Sequence, residues 1–331
     1  MRNFLKAMVC TLGLCGAFLT SPAGAEAPKE IHFGLIATES SNKLRDAWEP
    51  LFADMSRAIG IEVKGFFVTD YAGVIQGMRF NKVDIGWFGN KSAIEAVDRA
   101  NGEVIAQAVN ADGKAGYYSL LIAHKDSPYN TVSDVLKNSK DIVFGNGDPN
   151  STSGYPVPGF YVFAKNGVDA KKIFKRTLNS SAESNALAVV NQQLDVATCS
   201  NMSLERLRTT QPDKAARLKV IWQSPLIPGD PLVWRKGLDA DTKEKIRHFI
   251  LNYGKTEAEK KILNNLTWGS FRASNNDQLL TIRQLELFKQ RAELEQDNTR
   301  SEKDKTAKLK TIDGELSKLD SRMKKLQANA K

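Results

Sequence analysis

The sequence predicts an α/β protein that folds into two lobes of similar plan. Strand-like and helix-like segments alternate from Ile31 onward, which is the pattern of a mostly parallel sheet flanked by helices. The alternation runs over residues 31–87 and begins again near Ser133. The chain has 331 residues, more than a single hydrophobic core usually organises. Two lobes, each with its own sheet, account for all three observations.

The elements of the two cycles are predicted from the spacing of their apolar residues. In the first cycle we expect strands at residues 31–36, 62–68 and 83–87 and helices at 44–59 and 72–80. In the second we expect strands at 142–144, 174–178 and 194–197 and helices at 135–137, 156–166 and 185–191. Residues 74–90 and 186–201 share one plan, in which an apolar helix leads to a strand and a small polar loop. In open α/β sheets, ligands bind at such loops.

Two long extended stretches, residues 116–130 and 218–238, are predicted to carry the chain between the lobes. We therefore assign residues 26–118 and 228–290 to lobe 1 and residues 119–227 to lobe 2. The chain is expected to return to lobe 1 with helices at 240–253 and 257–265. A cleft between lobes that are joined by two crossings can close on a ligand by hinge motion.

Residues 291–331 are predicted to form a C-terminal helical tail. Its apolar side chains recur at spacings of three and four, as in a heptad seam: Leu309, Ile312, Leu316, Leu319, Met323 and Leu326. The seam is too short for a stable autonomous coiled coil. Two arrangements stay open, a helix that lies on the body of the protein or is partly free, and a dimer that forms through this helix.

The first 25 residues have the composition of a cleaved export signal. Arg2 and Lys6 form a basic start, residues 7–19 are apolar, and residues 23–25 (Ala-Gly-Ala) are the small residues that signal peptidase requires. The apolar run is shorter than the about 20 residues that span a bilayer. We expect cleavage after Ala25 and an exported, soluble mature protein.

The formal net charge of +9, which falls to +7 without Arg2 and Lys6, favours an anionic partner. Lysines are interspersed with acidic residues, and no basic block contains aromatic residues, so we expect no nucleic-acid partner. The three histidines lack metal-ligand spacing, and Cys199, the one cysteine beyond the signal, is predicted to be structural. We expect no catalytic residue, no metal and no cofactor.

The segment most informative about function is FGNGDPNSTSGYPVPGFYVFAKNG, residues 144–167. A predicted strand ends at Phe144, and a glycine-rich loop leads to Ser151, Thr152 and Ser153. These three hydroxyl residues are expected to open a helix with prolines in its first turn, where no N–H group has a helical partner. Free N–H groups and the helix dipole favour an anion at such a position. A structural N-cap explains a lone serine, but three successive hydroxyls favour an anion site.

Three segments together resemble the phosphonate-binding proteins of phosphonate ABC transporters: DYAGVIQGMRFNKVDIGWFGN, FGNGDPNSTSG and SPLIPGDPLVWR. The resemblance extends over nearly the whole mature chain. It implies the two-lobed fold of the type 2 periplasmic binding proteins, a periplasmic location and delivery of the ligand to a membrane permease.

The resemblance also implies which residues line the site. It places the phosphonate oxygens on Ser151, Thr152 and Ser153, with Tyr71 and Tyr117 facing them across the cleft. Asp230, at the second crossing, would accept hydrogen bonds from a ligand amine. A role as a plain turn aspartate stays open for Asp230, as does core packing for Tyr117.

Two positions depart from family members that prefer 2-aminoethylphosphonate. Met202 stands where those proteins carry an acidic residue, and Ala182 stands where they carry a histidine. Loss of an acid weakens recognition of an ammonium group, because a buried cation without a charged partner is costly. An alkyl- or aminoalkylphosphonate is the expected ligand. The alternatives are a periplasmic hydrolase of phosphonate or phosphate esters and a binding protein for another oxyanion, such as phosphite or a sulfonate.

Overall fold

The computed structural model describes residues 28–329, so the predicted export signal and its cleavage point lie outside the described residues. Within this range, none of the helices combines the length and the apolar character that a bilayer crossing requires.

Residues 28–329 contain thirteen strands: β1 (Glu30–Leu35), β2 (Glu62–Phe67), β3 (Ile85–Trp87), β4 (Gly102–Asn110), β5 (Gly116–Tyr117), β6 (Ser119–His124), β7 (Val143–Gly147), β8 (Arg176–Ser180), β9 (Val196–Ser200), β10 (Leu218–Gln223), β11 (Ile227–Pro228), β12 (Pro231–Arg235) and β13 (Trp268–Ala273).

The same range contains thirteen α-helical segments: α1 (Ser41–Ile59), α2 (Tyr71–Arg79), α3 (Asn90–Arg99), α4 (Val132–Lys137), α5 (Pro156–Pro158), α6 (Ala170–Ile173), α7 (Ala182–Val190), α8 (Asn201–Thr210), α9 (Pro212–Ala215), α10 (Ala240–Asn252), α11 (Glu257–Asn265), α12 (Leu280–Glu295) and α13 (Glu302–Asn329). The predicted helix at residues 156–166 is helical but irregular, because α5 passes into a π-helical turn at Gly159–Phe163 and a 3-10 turn at Ala164–Asn166.

The strands form two main sheets, one in each lobe. Lobe 1 holds six strands in the order β13-β4-β12-β3-β1-β2, and lobe 2 holds five in the order β10-β6-β9-β7-β8. In lobe 1, β1 is parallel to β2 and β3, and in lobe 2, β7 is parallel to β8 and β9. The predicted α/β class with two lobes is confirmed. Each lobe thus has a parallel half whose carboxyl ends carry loops.

The core of lobe 1 forms around the helix α1. Its apolar residues recur every three or four positions, and those on one face are buried, including Leu44, Trp48 and Met55. The Trp48 ring lies 5.3 Å from the ring of Trp268 and 5.5 Å from that of Trp87, centroid to centroid. Because Trp87 ends β3, this aromatic core also fixes the backbone at the carboxyl end of the sheet.

The strands β5 and β11 pair antiparallel as a two-stranded ribbon, and along the chain each lies between a strand of one main sheet and a strand of the other. Ile227 lies opposite Tyr117, and Pro228 lies opposite Gly116. Each strand of the ribbon belongs to one of the two extended stretches predicted as crossings. A short ribbon of this kind can act as a hinge, because few backbone groups need to change conformation when the lobes move.

The C-terminal helix α13 packs along α12, the helix that precedes it. Leu316 of the predicted heptad seam is buried, whereas Leu326 is exposed. Arg291 Nε donates to Asp313 Oδ1 at 2.8 Å, and Arg322 Nε donates to Asp277 Oδ1 at 2.7 Å. This is the arrangement predicted as a helix lying on the body. The tail was predicted to begin at residue 291, which lies inside α12.

Candidate ligand-binding site

A cavity, here called the cleft cavity, lies between the two lobes. Most of its walls come from the loops and helix starts that follow β1, β2 and β3 in lobe 1 and β7, β8 and β9 in lobe 2. The strands β5 and β13 and the loop before β12 complete them. Six predicted site residues all line it: Tyr71, Tyr117, Ser151, Thr152, Ser153 and Asp230. The carboxyl ends of both parallel half-sheets therefore meet at one place, as the topology requires.

The loop after β7 is held tight by a close approach of two glycines. The Gly147 N–H donates to the Gly154 carbonyl at 2.9 Å, and a Cβ on Gly147 would lie 2.4 Å from Gly154 Cα. A side chain at position 147 would therefore push the loop away from the strand. The turn that this contact closes contains Ser151, Thr152 and Ser153, which we call the hydroxyl turn.

The prediction that the hydroxyl turn opens a helix is wrong. The helix begins at Pro156, one turn later. A residue that precedes proline is disfavoured in the α region, and Tyr155 accordingly has φ −135° and ψ −73°. The regular helix cannot extend back through Tyr155, so the hydroxyl residues lie in a separate turn.

The hydroxyl turn nevertheless offers several hydrogen-bond donors. Ser151 Oγ accepts from the Gly154 N–H at 3.2 Å, and Thr152 Oγ1 accepts from the Lys91 N–H at 2.9 Å. A hydroxyl that accepts one bond can still donate its own hydrogen to another group. Within residues 28–329, the backbone N–H groups of Thr152 and Ser153 also donate no hydrogen bond. Such a set of neutral donors suits an oxyanion.

Tyr71 and Tyr117 supply phenol groups to the same cavity. Tyr71 begins α2, where Asp70 caps the helix by accepting from the Gly73 N–H at 2.8 Å. Burial raises the pKa of the Tyr71 hydroxyl, an effect that the neighbouring Ser151 hydroxyl partly opposes. Burial and the nearby Asp230 carboxylate raise the pKa of Tyr117 well above its ordinary value. Both phenols are therefore neutral at physiological pH and able to donate.

Asp230 faces the cavity beside Trp87. The Trp87 Nε1–H donates to Asp230 Oδ2 at 3.0 Å, whereas Oδ1 is covered and has no partner among the described residues. Burial raises the pKa of Asp230 to about 7, although the neighbouring Tyr117 and Trp87 donor groups partly oppose this rise. Near neutral pH this carboxyl therefore exists in both protonation states. It can accept a hydrogen bond when ionised and donate one when protonated.

The raised pKa of Asp230 predicts a pH-dependent stability. The unfolded carboxyl loses its proton near pH 4, whereas the folded protein keeps it to about pH 7, so this group stabilises the fold at low pH. That contribution declines as the pH rises through 7.

In ligand-free protein, we expect the Tm of Asp230→Asn to rise relative to wild type between pH 5 and pH 8. The rise should be a few degrees, since 1 kcal/mol shifts the Tm of a protein this large by about 2–4 °C. Asp213→Asn, at an exposed site, controls for the lost charge. A Tm difference that falls with pH would contradict the assignment.

The sequence reasoning missed four polar residues of the cleft cavity: Thr38, Ser200, Ser203 and Arg206. Arg206 extends from α8 and pairs with Glu39 of lobe 1. Arg206 Nε and Thr38 Oγ1 are both covered, and neither has a hydrogen-bond partner within the described residues. With Asp230 Oδ1, three unpaired polar atoms surround the same space. Buried polar atoms are rarely left unpaired, so this set marks a position where a ligand or water belongs.

The lobes are in contact around the cleft cavity, so the structure represents a closed form. Three backbone N–H groups donate across the gap, that of Lys91 to Thr152, that of Tyr71 to Asp148 and that of Glu183 to the Thr38 carbonyl. Two ion pairs also cross it, one between Glu39 and Arg206 and one between Lys43 and Glu183.

Within residues 28–329, no cluster of three or more histidine, cysteine or acidic side chains has the geometry of a metal site. The polar groups of the cleft cavity instead suit an anion held by hydrogen bonds. A two-lobed α/β fold with such a cavity between its sheets defines the type 2 periplasmic binding proteins, a class that captures small solutes.

Comparisons with known proteins identify the family. Residues 33–279 match the family described as ABC transporter, phosphonate, periplasmic substrate-binding protein. The phosphonates-binding periplasmic protein of Escherichia coli K12 is 59% identical over 273 residues, which cover 82% of this chain and 80% of the relative. The crystal structure of a binding protein component of an ABC phosphonate transporter from Pseudomonas aeruginosa is also 59% identical, with a TM-score of 0.89. It covers 90% of this chain and 99% of its own.

A more distant structure shares the fold. PhnD1 of Prochlorococcus marinus, solved with methylphosphonate, is 23% identical with a TM-score of 0.69, over 78% of this chain and 97% of its own.

The chain belongs to the family of periplasmic substrate-binding proteins of phosphonate ABC transporters. It is a solute-binding component of phosphonate import and not an enzyme, because its close relatives are transport proteins. The predicted binding role, the periplasmic location and the partnership with transporter membrane components are thereby confirmed at the level of the family. The hydrolase alternative is wrong.

Proposed function

We propose that this protein captures a small phosphonate by holding its oxygens at the hydroxyl turn while lobe 1 closes over it. The observation that carries this proposal is the set of donors on Ser151, Thr152 and Ser153. Two backbone N–H groups are unpaired within residues 28–329, and two hydroxyls keep a hydrogen to donate. A tetrahedral oxyanion accepts several such bonds at once, and bonds to an ionised acceptor are about twice as strong as neutral ones.

Lobe 1 completes the site only when the cleft is shut. Tyr71 and Tyr117 bring phenol groups toward the hydroxyl turn, and Lys91 donates its N–H to Thr152 across the gap. Closure removes water, which strengthens the remaining electrostatic interactions. Binding and closure are therefore coupled, since the ligand has both sets of contacts in the closed form alone.

The lobe boundaries at residues 118/119 and 227/228 are part of this proposal. Every strand of the six-stranded sheet lies within residues 30–110 or 231–273, and every strand of the five-stranded sheet lies within 119–223. The pairing of β5 with β11 supports a hinge at these boundaries.

Titration calorimetry with methylphosphonate, inorganic phosphate and methanesulfonate tests the proposed ligand class. We expect methylphosphonate to bind at least about tenfold more tightly than either competitor, a difference of about 1.4 kcal/mol. Phosphate lacks an organic group to contact the apolar walls, which include Ile36, Met202 and Trp268. The sulfonate carries one negative charge and forms weaker charge-assisted bonds. Tighter binding of phosphate or sulfonate would support the alternative of another oxyanion.

Two finer predictions concern the chain ends. We propose that signal peptidase cuts after Ala25. The intact mass of the exported protein should then equal that of a chain whose first residue is Glu26.

A dimer that forms through α13 also stays a prediction. The packing of α13 on α12, with Leu316 buried, instead supports a monomer. Light scattering of the mature protein distinguishes the two states.

A further inference from the structure

Arg206 lines the cleft cavity and does not belong to the hydroxyl turn. It lies on α8, which follows β9 in lobe 2, and it lines the cleft cavity together with Met202 and Ser203 of the same helix. Its side chain is 16% exposed, so most of the guanidinium is shielded from bulk water.

The guanidinium of Arg206 is only partly satisfied by protein. One terminal nitrogen, Nη1, pairs with Glu39, but Nε is covered and has no hydrogen-bond partner within the described residues. Arginine presents its N–H donors in a rigid planar fork, so the Glu39 contact also fixes the direction of the Nε–H. A covered N–H on a charged group without an acceptor is costly. An acceptor atom on the ligand removes that cost.

Other groups that line the cavity favour the same kind of ligand. Thr38 Oγ1 is unpaired and can donate its hydrogen, and Asp230, whose pKa is about 7, can donate when protonated. Ala182 and Met202 are apolar. A ligand ammonium would therefore meet one fully charged arginine and one partly ionised carboxyl. A ligand oxygen would meet donors.

We propose that Arg206 is a specificity-determining residue that selects phosphonates whose organic group carries an oxygen acceptor, with a carboxylate as the preferred acceptor. The proposal rests on the proposed function, since it assumes that the phosphonate oxygens occupy the hydroxyl turn. Glu39 acts as a positioning residue, because it orients the guanidinium without lining the cavity.

Calorimetry with three probes tests this selection: methylphosphonate, phosphonoacetate and 2-aminoethylphosphonate. Wild-type protein is expected to bind phosphonoacetate at least about tenfold more tightly than 2-aminoethylphosphonate. The double variant Arg206→Gln with Glu39→Gln keeps the net charge of the protein. It also avoids leaving the Glu39 carboxylate without its ion-pair partner. It should bind phosphonoacetate at least about tenfold more weakly, the effect of losing one hydrogen bond between charged groups. Its affinity for methylphosphonate should fall by a smaller factor, because every ligand loses the same contact between the lobes. The preference for phosphonoacetate over methylphosphonate should therefore fall, and a Tm close to that of wild type would show that the variant is folded.

A second ion pair between the lobes provides the matched control. Lys43 and Glu183 also pair across the gap, but neither lines the cleft cavity. Lys43→Gln with Glu183→Gln should change the affinity for all three probes by the same small factor. Arg206→Lys keeps a cation beside Glu39 but removes the planar Nε–H, so it should also lose preference for phosphonoacetate over methylphosphonate.

Different failures have different meanings. If wild-type protein binds none of the three probes, the proposed function itself is wrong. If the Arg206 variants weaken all three probes equally, Arg206 acts on the phosphonate head or on closure, and the proposed selection is overturned. Tightest binding of 2-aminoethylphosphonate by wild-type protein would also overturn it, with the proposed function intact.

Discussion

Replacing Gly89 with valine is expected to weaken phosphonate binding by about 100-fold or more, because the lobes can no longer close. A Cβ built on Gly89 lies 3.0 Å from Thr152 Oγ1 in the opposite lobe and 3.9 Å from Asp230 Oδ1. The two further methyl groups of valine would occupy the space between them. A loss of about 2.7 kcal/mol corresponds to 100-fold, and losing the donors of one lobe is sufficient for that amount.

The valine should leave the folded lobes intact. Gly89 has φ −78° and ψ 163°, an extended conformation that any residue adopts, so the backbone has no need of glycine there. We expect the Tm to stay within a few degrees of wild type and Gly89→Ala to have a smaller effect on affinity. Small-angle scattering should show that ligand reduces the radius of gyration of wild type and not of Gly89→Val. Wild-type affinity in the valine variant would show that the contact between Gly89 and Thr152 is not needed for binding.

The double variant Ser151→Ala with Thr152→Ala is expected to weaken phosphonate binding by about tenfold or more. Both hydroxyls accept a backbone N–H and can also donate their own hydrogen. Losing even one hydrogen bond to a charged acceptor costs about 1.5–3 kcal/mol, and about 1.4 kcal/mol is tenfold. Calorimetry with methylphosphonate measures the change.

Lobe 2 offers a matched control outside the cleft cavity. Thr209 and Thr210 are two adjacent exposed hydroxyl residues on α8, and each donates to a carbonyl of its own helix. Replacing both with alanine should leave the affinity unchanged. If the Ser151 and Thr152 variant binds as tightly as this control, the hydroxyl turn is not where the phosphonate oxygens lie.

The order of strands and helices could be read from apolar spacing, but strand ends were less predictable. The strand β7 was predicted to end at Phe144 and instead continues to Gly147. Its last residues include Gly145 and Gly147. Glycine has no apolar side chain, so the sequence pattern does not indicate that these positions are buried. A Cβ on Gly145 would lie 2.5 Å from Leu194. Close packing thus demands glycine in a strand where a sequence pattern suggests a loop.

Only some of the residues that line the cleft cavity were predicted. The others were missed because tertiary contacts, which a sequence pattern does not show, bring them to the cavity. The hydroxyl turn and the two tyrosines occur beside recognisable loops at strand ends, so sequence reasoning could select them. Arg206 occurs in the interior of a polar helix, where arginine is typical of a solvated surface. It lies on the same face of α8 as Met202, which also lines the cavity, and an ion pair with Glu39 of the other lobe holds its guanidinium. No local pattern reports a partner that is 167 residues away in the chain.

A crystal structure of the mature protein with bound methylphosphonate tests the central claim most directly. We predict that the phosphonate oxygens lie within about 3.2 Å of the N–H groups of Thr152 and Ser153, the range of an N–H···O hydrogen bond. The lobes should be closed, with Tyr71 and Tyr117 on the opposite wall. A phosphonate bound outside this cavity, or held by lobe 1 without contact to the hydroxyl turn, would contradict the account.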